Sequence, residues 1–202
     1  MWAKNSYNYT LGTATGVTTT GSTDSGSKEY NSTITLKATP NTGYTWSTWK
    51  SSNTTLQSDL TTANTTFQMP AGDLTMTPVV VTNGYTIVFN GNGATGGSMN
   101  NMTCSYDTTY NLIPNGYTRS GYEFLGWSTD SNATTIIYAN EASINNLTST
   151  DGETITLYAI WKTKSQTFIW AYDPIKNEYR WHRALKYVFT PDAIQNKSTS
   201  TT

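Results

Sequence analysis

The chain has 202 residues, enough for one large domain or two small ones, and few of them are charged (12 %) or apolar (36 %). Its single cysteine, Cys104, excludes an intramolecular disulfide framework and any multi-cysteine metal site, and is expected to be a small buried hydrophobe. The net charge of −1 hides an asymmetry: residues 1–161 hold five Lys/Arg against ten Asp/Glu, and residues 162–202 hold seven against three. The last forty residues or so are therefore basic and differ in chemistry from the rest.

With Leu and Ile scarce, the core has to come from rings. Fourteen Tyr and seven Trp are available, and a buried aromatic side chain removes roughly 150–250 Å² from water. Thr, Tyr and Trp favour a pleated, half-buried surface, and Asn and Gly supply turns. The composition predicts a mainly β protein, α+β at most.

At the N-terminus, MWAKNSYNYT has no apolar stretch of the signal-peptide kind, and nothing in the chain approaches the ~18 apolar residues of a membrane span. No lipidation site or C-terminal sorting tail is evident. The expectation is a soluble chain that is carried or held wherever it acts. Eight Asn-x-Ser/Thr triplets, among them those at Asn8, Asn31 and Asn53, are what so Asn- and Thr-rich a sequence yields by chance.

Residues 1–82 form a first region. Tyr30 and a strand-like Ile34-x-Leu36-x-Ala38 precede Gly43-Tyr44-Thr45-Trp46-Ser47-Thr48-Trp49, and an alternating Leu74-x-Met76 closes the region. Residues 83–161 repeat this order. A strand at Tyr85–Phe89, then Tyr106 and Tyr110-x-Leu112, lead to Gly121-Tyr122-Glu123-Phe124-Leu125-Gly126-Trp127, and Ile155-x-Leu157-x-Ala159-x-Trp161 ends it. The shared motif, Gly-Tyr-x-aromatic-x-x-Trp, recurs 78 residues apart, the size of a small domain, so the chain is a tandem duplication. The Tyr and the second aromatic lie two apart, hence on one face of a strand, and the last Trp caps the core where the strand bends. Tyr44, Trp46, Trp49, Tyr122, Phe124, Trp127 and Trp161 are therefore expected in the cores. An exposed aromatic platform for a ligand is the alternative.

Gly91-Asn92-Gly93-Ala94-Thr95-Gly96 spells a dinucleotide-binding fingerprint directly after a strand. Such a loop must open a helix whose N–H groups hold the pyrophosphate, inside a βαβ unit. The residues that follow, Gly97-Ser98-Met99-Asn100, are poor helix formers, and the Asn-Gly and Gly-Gly steps suit a hairpin turn. His182 is the only histidine, 78 residues from the only cysteine, and no Gly-x-Ser-x-Gly elbow exists. The acids are scattered in turns, and no calcium loop is present. The chain is expected to be non-enzymatic and without cofactor or metal.

Residues 84–161, from GYTIVFNGNGATGGSM through GYEFLGW to TITLYAIW, resemble the Listeria–Bacteroides repeat, the internalin-B type of B-repeat. Residues 6–81, with KATPNTGYTWSTW and FQMPAGDLTMTPV, resemble its divergent form. The resemblance implies two tandem β-grasp-like modules of the kind strung along extracellular or virion-surface proteins as spacers and adhesive stalks. It carries no catalytic residue over.

The third region, 162–202, lies outside both repeats. Phe168, Trp170 and Tyr172 alternate on one strand face, Asp173–Asn177 turn, and Tyr179, Trp181, Arg183, Leu185 and Tyr187 alternate back. The opposite face of the return strand carries Arg180, His182, Ala184, Lys186 and Val188. An isolated hairpin is marginal in water, so this one must pack on something. Docking on a partner protein through Phe168, Trp170, Tyr172, Tyr179, Arg180, Trp181, Arg183, Lys186 and Tyr187 is one outcome, since Tyr, Trp and Arg anchor interfaces. Packing on the second repeat is another; nucleic acid is disfavoured by too few bases. The hairpin also resembles short aromatic segments that end some bacteriophage structural proteins. The polar end Asn196–Thr202 is of the kind that stays disordered unless tied down.

These features point to a multicopy structural or decoration protein on the surface of a bacteriophage particle, on capsid or tail. Its partners would be other virion proteins, gripped through residues 162–202, and host-surface glycans or mucus-like polymers, with no nucleic acid and no membrane insertion. The alternative is a piece of a bacterial cell-surface adhesin.

Overall fold

The structure, a computed structural model, describes residues 5–54, 56, 60–165, 168–173 and 175–183. These contain eighteen strands and no helix. They fall into two compact units, one holding both repeats apart from residues 121–123 and the other holding those three residues with the C-terminal segment.

The first repeat contributes β1 (Ser6–Leu11), β2 (Val17–Thr18), β3 (Gly26–Glu29), β4 (Thr33–Leu36), β5 (Thr39–Pro40), β6 (Tyr44–Ser51), β7 (Thr65–Gln68) and β8 (Leu74–Thr82). The second contributes β9 (Gly84–Asn90), β10 (Gly96–Gly97), β11 (Met102–Ser105), β12 (Thr109–Asn111), β13 (Tyr117–Thr118), β14 (Tyr122–Ser128), β15 (Ser143–Asn145) and β16 (Glu153–Thr163). A four-stranded sheet in the order β3-β1-β8-β6 recurs as β11-β9-β16-β14. The small pairs β2-β5 and β4-β7 recur as β10-β13 and β12-β15. The duplication read from one motif thus extends to every strand.

In each large sheet the first and last strands of the repeat lie side by side and parallel, with antiparallel neighbours outside: Tyr9 pairs with Leu74, and Ile87 with Ile155. This is a β-grasp-like sheet. A parallel pair needs a long crossover, and here the crossover contains the remaining short strands rather than a helix. Alternation sets the buried face. Leu74 and Met76 of β8, and Tyr85, Ile87 and Phe89 of β9, point inward at 5 % exposure or less.

Two separate cores result. Tyr9, Ile34, Leu36, Ala38, Trp49, Met69, Leu74 and Met76 form the first; Tyr85, Ile87, Phe89, Cys104, Leu112, Trp127, Ile144, Leu157 and Ala159 form the second. Cys104 is buried and free, as its isolation in the sequence implied.

The Asn-rich composition is used in turns. Asn31, Asn92, Asn146, Asn177 and Asp107 all adopt positive φ, which short side chains that bond to their own backbone tolerate best. The Gly91–Gly96 segment is such a turn, closed by the Ala94 N–H donating to Gly91 O at 3.0 Å. It is not a tight hairpin, however. The antiparallel neighbour of β9 is β11, and Gly96–Gly97 pair separately with Tyr117–Thr118.

The C-terminal unit holds β17 (Phe168–Asp173) and β18 (Glu178–Arg183), an antiparallel hairpin. The expectations for Ala184, Leu185, Lys186, Tyr187, Val188 and the tail 196–202 lie outside the described residues.

Candidate functional site

The motif aromatics divide into those that build the cores and those that do not. Trp49 and Trp127 are central, each 0 % exposed. The x-x spacing before Trp49 is explained by a bulge in β6. Trp46 pairs with Val80 and Thr48 with Val79, so Ser47 is an extra residue. That residue restores the phase, and Trp46 and Trp49 face the same way with ring centroids 5.4 Å apart. Phe124 and Trp127 stand at 4.9 Å, and Phe124 and Trp161 at 5.5 Å. Trp46, Phe124 and Trp161 are half-buried against the edges of the cores, and Trp161 also lines an open cleft beside the Gly91–Gly96 turn.

Tyr44 and Tyr122 correct the expectation. Neither belongs to a core cluster. Both sit at strand starts directly after the turn glycine, and both are half-buried. Tyr44 instead meets the other repeat. Its hydroxyl donates to Asp107 Oδ2 at 2.8 Å, and its ring meets that of Tyr106 edge-on at 6.2 Å. Asp107 Oδ1 accepts from Asn146 Nδ2 at 3.0 Å, and the Asp107 N–H donates to Asn146 Oδ1 at 2.6 Å. These bonds, the one from Asn146 foremost and then that from Tyr44, hold the Asp107 carboxyl below the usual carboxylate range. The same contact with Asp107 raises the Tyr44 phenol.

Asn83, the single residue between β8 and β9, completes this junction. Its N–H donates to Gly43 O at 2.8 Å and its Nδ2 to Ser149 O at 2.7 Å. Its Oδ1 accepts from Thr45 Oγ1 at 2.6 Å, and its carbonyl from the Tyr106 N–H at 2.9 Å. One asparagine therefore ties both repeats together. The Tyr106 ring lies against Gly43, where a β-carbon would overlap it. Sequence reading missed this junction. Its one signal was that a single residue separates two strand patterns, too short for a flexible linker.

Of the candidate docking residues, Phe168, Trp170, Tyr172, Tyr179, Arg180, Trp181 and Arg183 lie on the paired strands in the expected alternation, and Lys186 and Tyr187 lie outside the described residues. The register pairs Phe168 with Arg183, Trp170 with Trp181 and Tyr172 with Tyr179, each pair sharing one position across the strands. The Trp170 and Trp181 centroids lie 5.3 Å apart, and those of Tyr172 and Tyr179 5.4 Å. Such cross-strand pairs each contribute about 0.2–1 kcal/mol. All four rings remain exposed, from 48 % for Tyr172 to 63 % for Trp181. Arg180 sits opposite Ala171, one position out of phase with the aromatic ladder, and forms an ion pair with Asp173 Oδ2 at 3.4 Å. Asp173 Oδ1 accepts the Ile175 and Lys176 N–H groups, and Tyr172 OH donates to Asn177 Oδ1, so the turn is closed by its own side chains.

Among the described residues no group of three or more His, Cys, Asp or Glu could hold a metal ion. Burial pushes the Cys104 thiol up.

Comparison with protein families matches residues 85–160 to the Listeria-Bacteroides repeat domain and residues 7–84 to the divergent InlB B-repeat domain. A search of curated proteins finds no match to the chain. Repeat domains of this type are adhesion-like and typically extracellular or surface-exposed. The two matches meet at Gly84–Tyr85, beside Asn83 where one strand-for-strand copy gives way to the other: residues 7–84 are a divergent InlB B-repeat domain and residues 85–160 are a Listeria–Bacteroides repeat domain.

Proposed function

We propose that the chain is a non-enzymatic display protein of a bacteriophage particle, with the two repeats projecting from capsid or tail as adhesive modules and the C-terminal hairpin gripping other virion proteins. The observation that carries this reading is the hairpin. Four rings in cross-strand register stay exposed, Trp170 at 56 % and Trp181 at 63 % among them. The hairpin also belongs to the basic region 162–202 of a chain whose repeats are acidic. Exposed Trp and Tyr pairs with nearby Arg are the usual anchors of protein interfaces, and a two-stranded hairpin gains most of its stability from what covers it. Many copies on one particle would turn weak contacts by the repeats into useful avidity.

The test is co-sedimentation. The full chain and a version ending at residue 165 are produced in the source cells, and lysates are separated on a density gradient. The reading expects the full chain to travel with the particles and the shortened chain to stay with soluble protein. Particles that carry both, or neither, would refute the anchoring role.

The second reading is a piece of a bacterial cell-surface adhesin. It is favoured by the repeats themselves, whose type is typically surface-exposed. It expects the full chain in the envelope fraction.

A further inference from the structure

The second repeat carries a polar cleft at a place where the first repeat lacks the two side chains that wall it. It lies between the Gly91–Gly96 turn, the loop at Ser131–Thr134 and the end of β16, an open groove of about 430 Å³. That volume falls within the range of small-molecule sites, roughly 300–1,000 Å³. We propose that this cleft is a saccharide-binding site, with Trp161 and Arg119 as its walls and Asn132 and Thr134 at its rim.

The lining decides the ligand class. Such sites are mostly apolar, but this one is dominated by amides, hydroxyls and one guanidinium, which favours a hydroxyl-rich ligand over an apolar one. No Asp or Glu lines it, which disfavours a cation. Trp161 offers the aromatic surface on which the C–H face of a sugar ring rests. Arg119 already donates from Nη1 to Asn92 O at 3.4 Å, which holds its guanidinium, a planar group with five N–H donors, at the wall of the cleft. It is the only Lys or Arg between Lys50 and Lys162, and its guanidinium lies over Gly93, 3.1 Å from where a β-carbon would stand.

The walls are held before any ligand arrives. Trp161 Nε1 donates to Gly91 O at 2.9 Å, and the ring is backed by Phe124. Asn92 Nδ2 donates to Ser131 O at 2.9 Å and to Ala159 O at 3.0 Å, which ties the glycine turn to the opposite loop and to β16. A preorganised cleft loses less freedom on binding.

The duplication supplies an internal control. In the first repeat Val80 stands at the place of Trp161, paired across the sheet with Trp46, the counterpart of Phe124. Asn41 stands 78 positions before Arg119, as Tyr44 does before Tyr122. The same scaffold without these two side chains is expected not to bind.

This inference deepens the adhesive half of the proposed function and is independent of what the hairpin grips. The test is a titration of the isotopically labelled full chain, read by amide and indole NMR shifts. The probes are glucose, galactose, N-acetylglucosamine and glucuronate, each with a matching disaccharide, and inorganic phosphate as control. The expected result is saturable shifts at Asn92, Arg119, Asn132 and the Trp161 indole with at least one sugar. Arg119→Asn, which installs the first repeat's residue, and Asn132→Ala at an exposed position should each weaken it about fivefold or more, the loss of one hydrogen bond to a ligand. No shift with any sugar, shifts unaffected by both substitutions, or shifts with phosphate alone would overturn the site. A negative titration leaves the sedimentation result standing, so the two readings fail separately.

Discussion

Replacing the central tryptophan of each repeat by phenylalanine separates packing from hydrogen bonding. Trp49 and Trp127 are equally buried, at 0 % exposure, and the substitution removes the same atoms from each core. The indole N–H is what differs. Trp49 Nε1 donates to Ala63 O at 3.0 Å, whereas Trp127 Nε1 is buried with no hydrogen-bond partner among the described residues. Trp49→Phe therefore loses a bond as well as volume. The Ala63 carbonyl keeps the Ala38 N–H at 3.1 Å, so it is not orphaned, and the lost bond is worth about 1 kcal/mol net. Trp127→Phe loses volume but also removes a donor whose burial costs about 1–3 kcal/mol. The low ends together make Trp127→Phe milder than Trp49→Phe by about 2 kcal/mol. Each repeat of this size has a stability on the order of 4–10 kcal/mol, so the difference is measurable. Urea unfolding followed by NMR signals from each core, Leu36 for the first and Leu157 for the second, gives the two free energies separately. If Trp127→Phe costs as much as Trp49→Phe, or more, the hydrogen-bond reasoning fails.

Gly43 and Gly121 form a second matched pair, both at φ +79°, but a β-carbon at Gly43 meets the Tyr106 ring while one at Gly121 meets nothing within 4 Å among the described residues. Gly121→Ala should cost about 1 kcal/mol from left-handed strain alone, and Gly43→Ala clearly more, together with loss of the Tyr106 contacts, as read by thermal unfolding and NMR. Asp107 has a lowered folded-state pKa, so the stability it contributes is complete above the ordinary value of about 3.9 and is lost as pH falls through the lower folded value. Residual dipolar couplings should show the repeats losing their fixed orientation on acidification, and Asp107→Asn should remove that pH step. Cys104 is 1 % exposed with its thiol pKa raised by burial, so alkylation in native buffer should proceed only as fast as the second repeat opens, and should become rapid in urea. Trp170→Ala together with Trp181→Ala should leave both core unfolding transitions unchanged while abolishing co-sedimentation with particles.

Much of this architecture was legible in the sequence because periodicity and repetition encode it directly. Ile34-x-Leu36 and Ile155-x-Leu157-x-Ala159 alternate as half-buried strands must, and Trp49 and Trp127 mark equivalent points of two copies. The hairpin register was readable for the same reason: Trp170 and Trp181 are equidistant from the turn. What escaped was everything that depends on contacts between loops. Tyr44 carries the same motif position as Tyr122, yet its role comes from Asp107 and Tyr106, 63 and 62 residues away in the other repeat. Asn83 looks like one more turn residue until its four bonds are placed. The order of the sheets was likewise hidden, because the parallel pairing of β1 with β8 joins segments with no local signal of their partnership. The Gly91–Gly96 turn was recognised as a turn, but its part in walling a cleft depends on Arg119 and Trp161, brought to it only by folding.

The account rests most on where the repeats are displayed, and immunogold electron microscopy of the source organism during lysis, with antibody raised against residues 84–161, reads that directly. Gold on phage heads or tails is the predicted result, and it would show which part of the particle residues 162–202 must grip. Gold on intact cell envelopes with bare particles would contradict the virion reading and put the adhesin reading in its place.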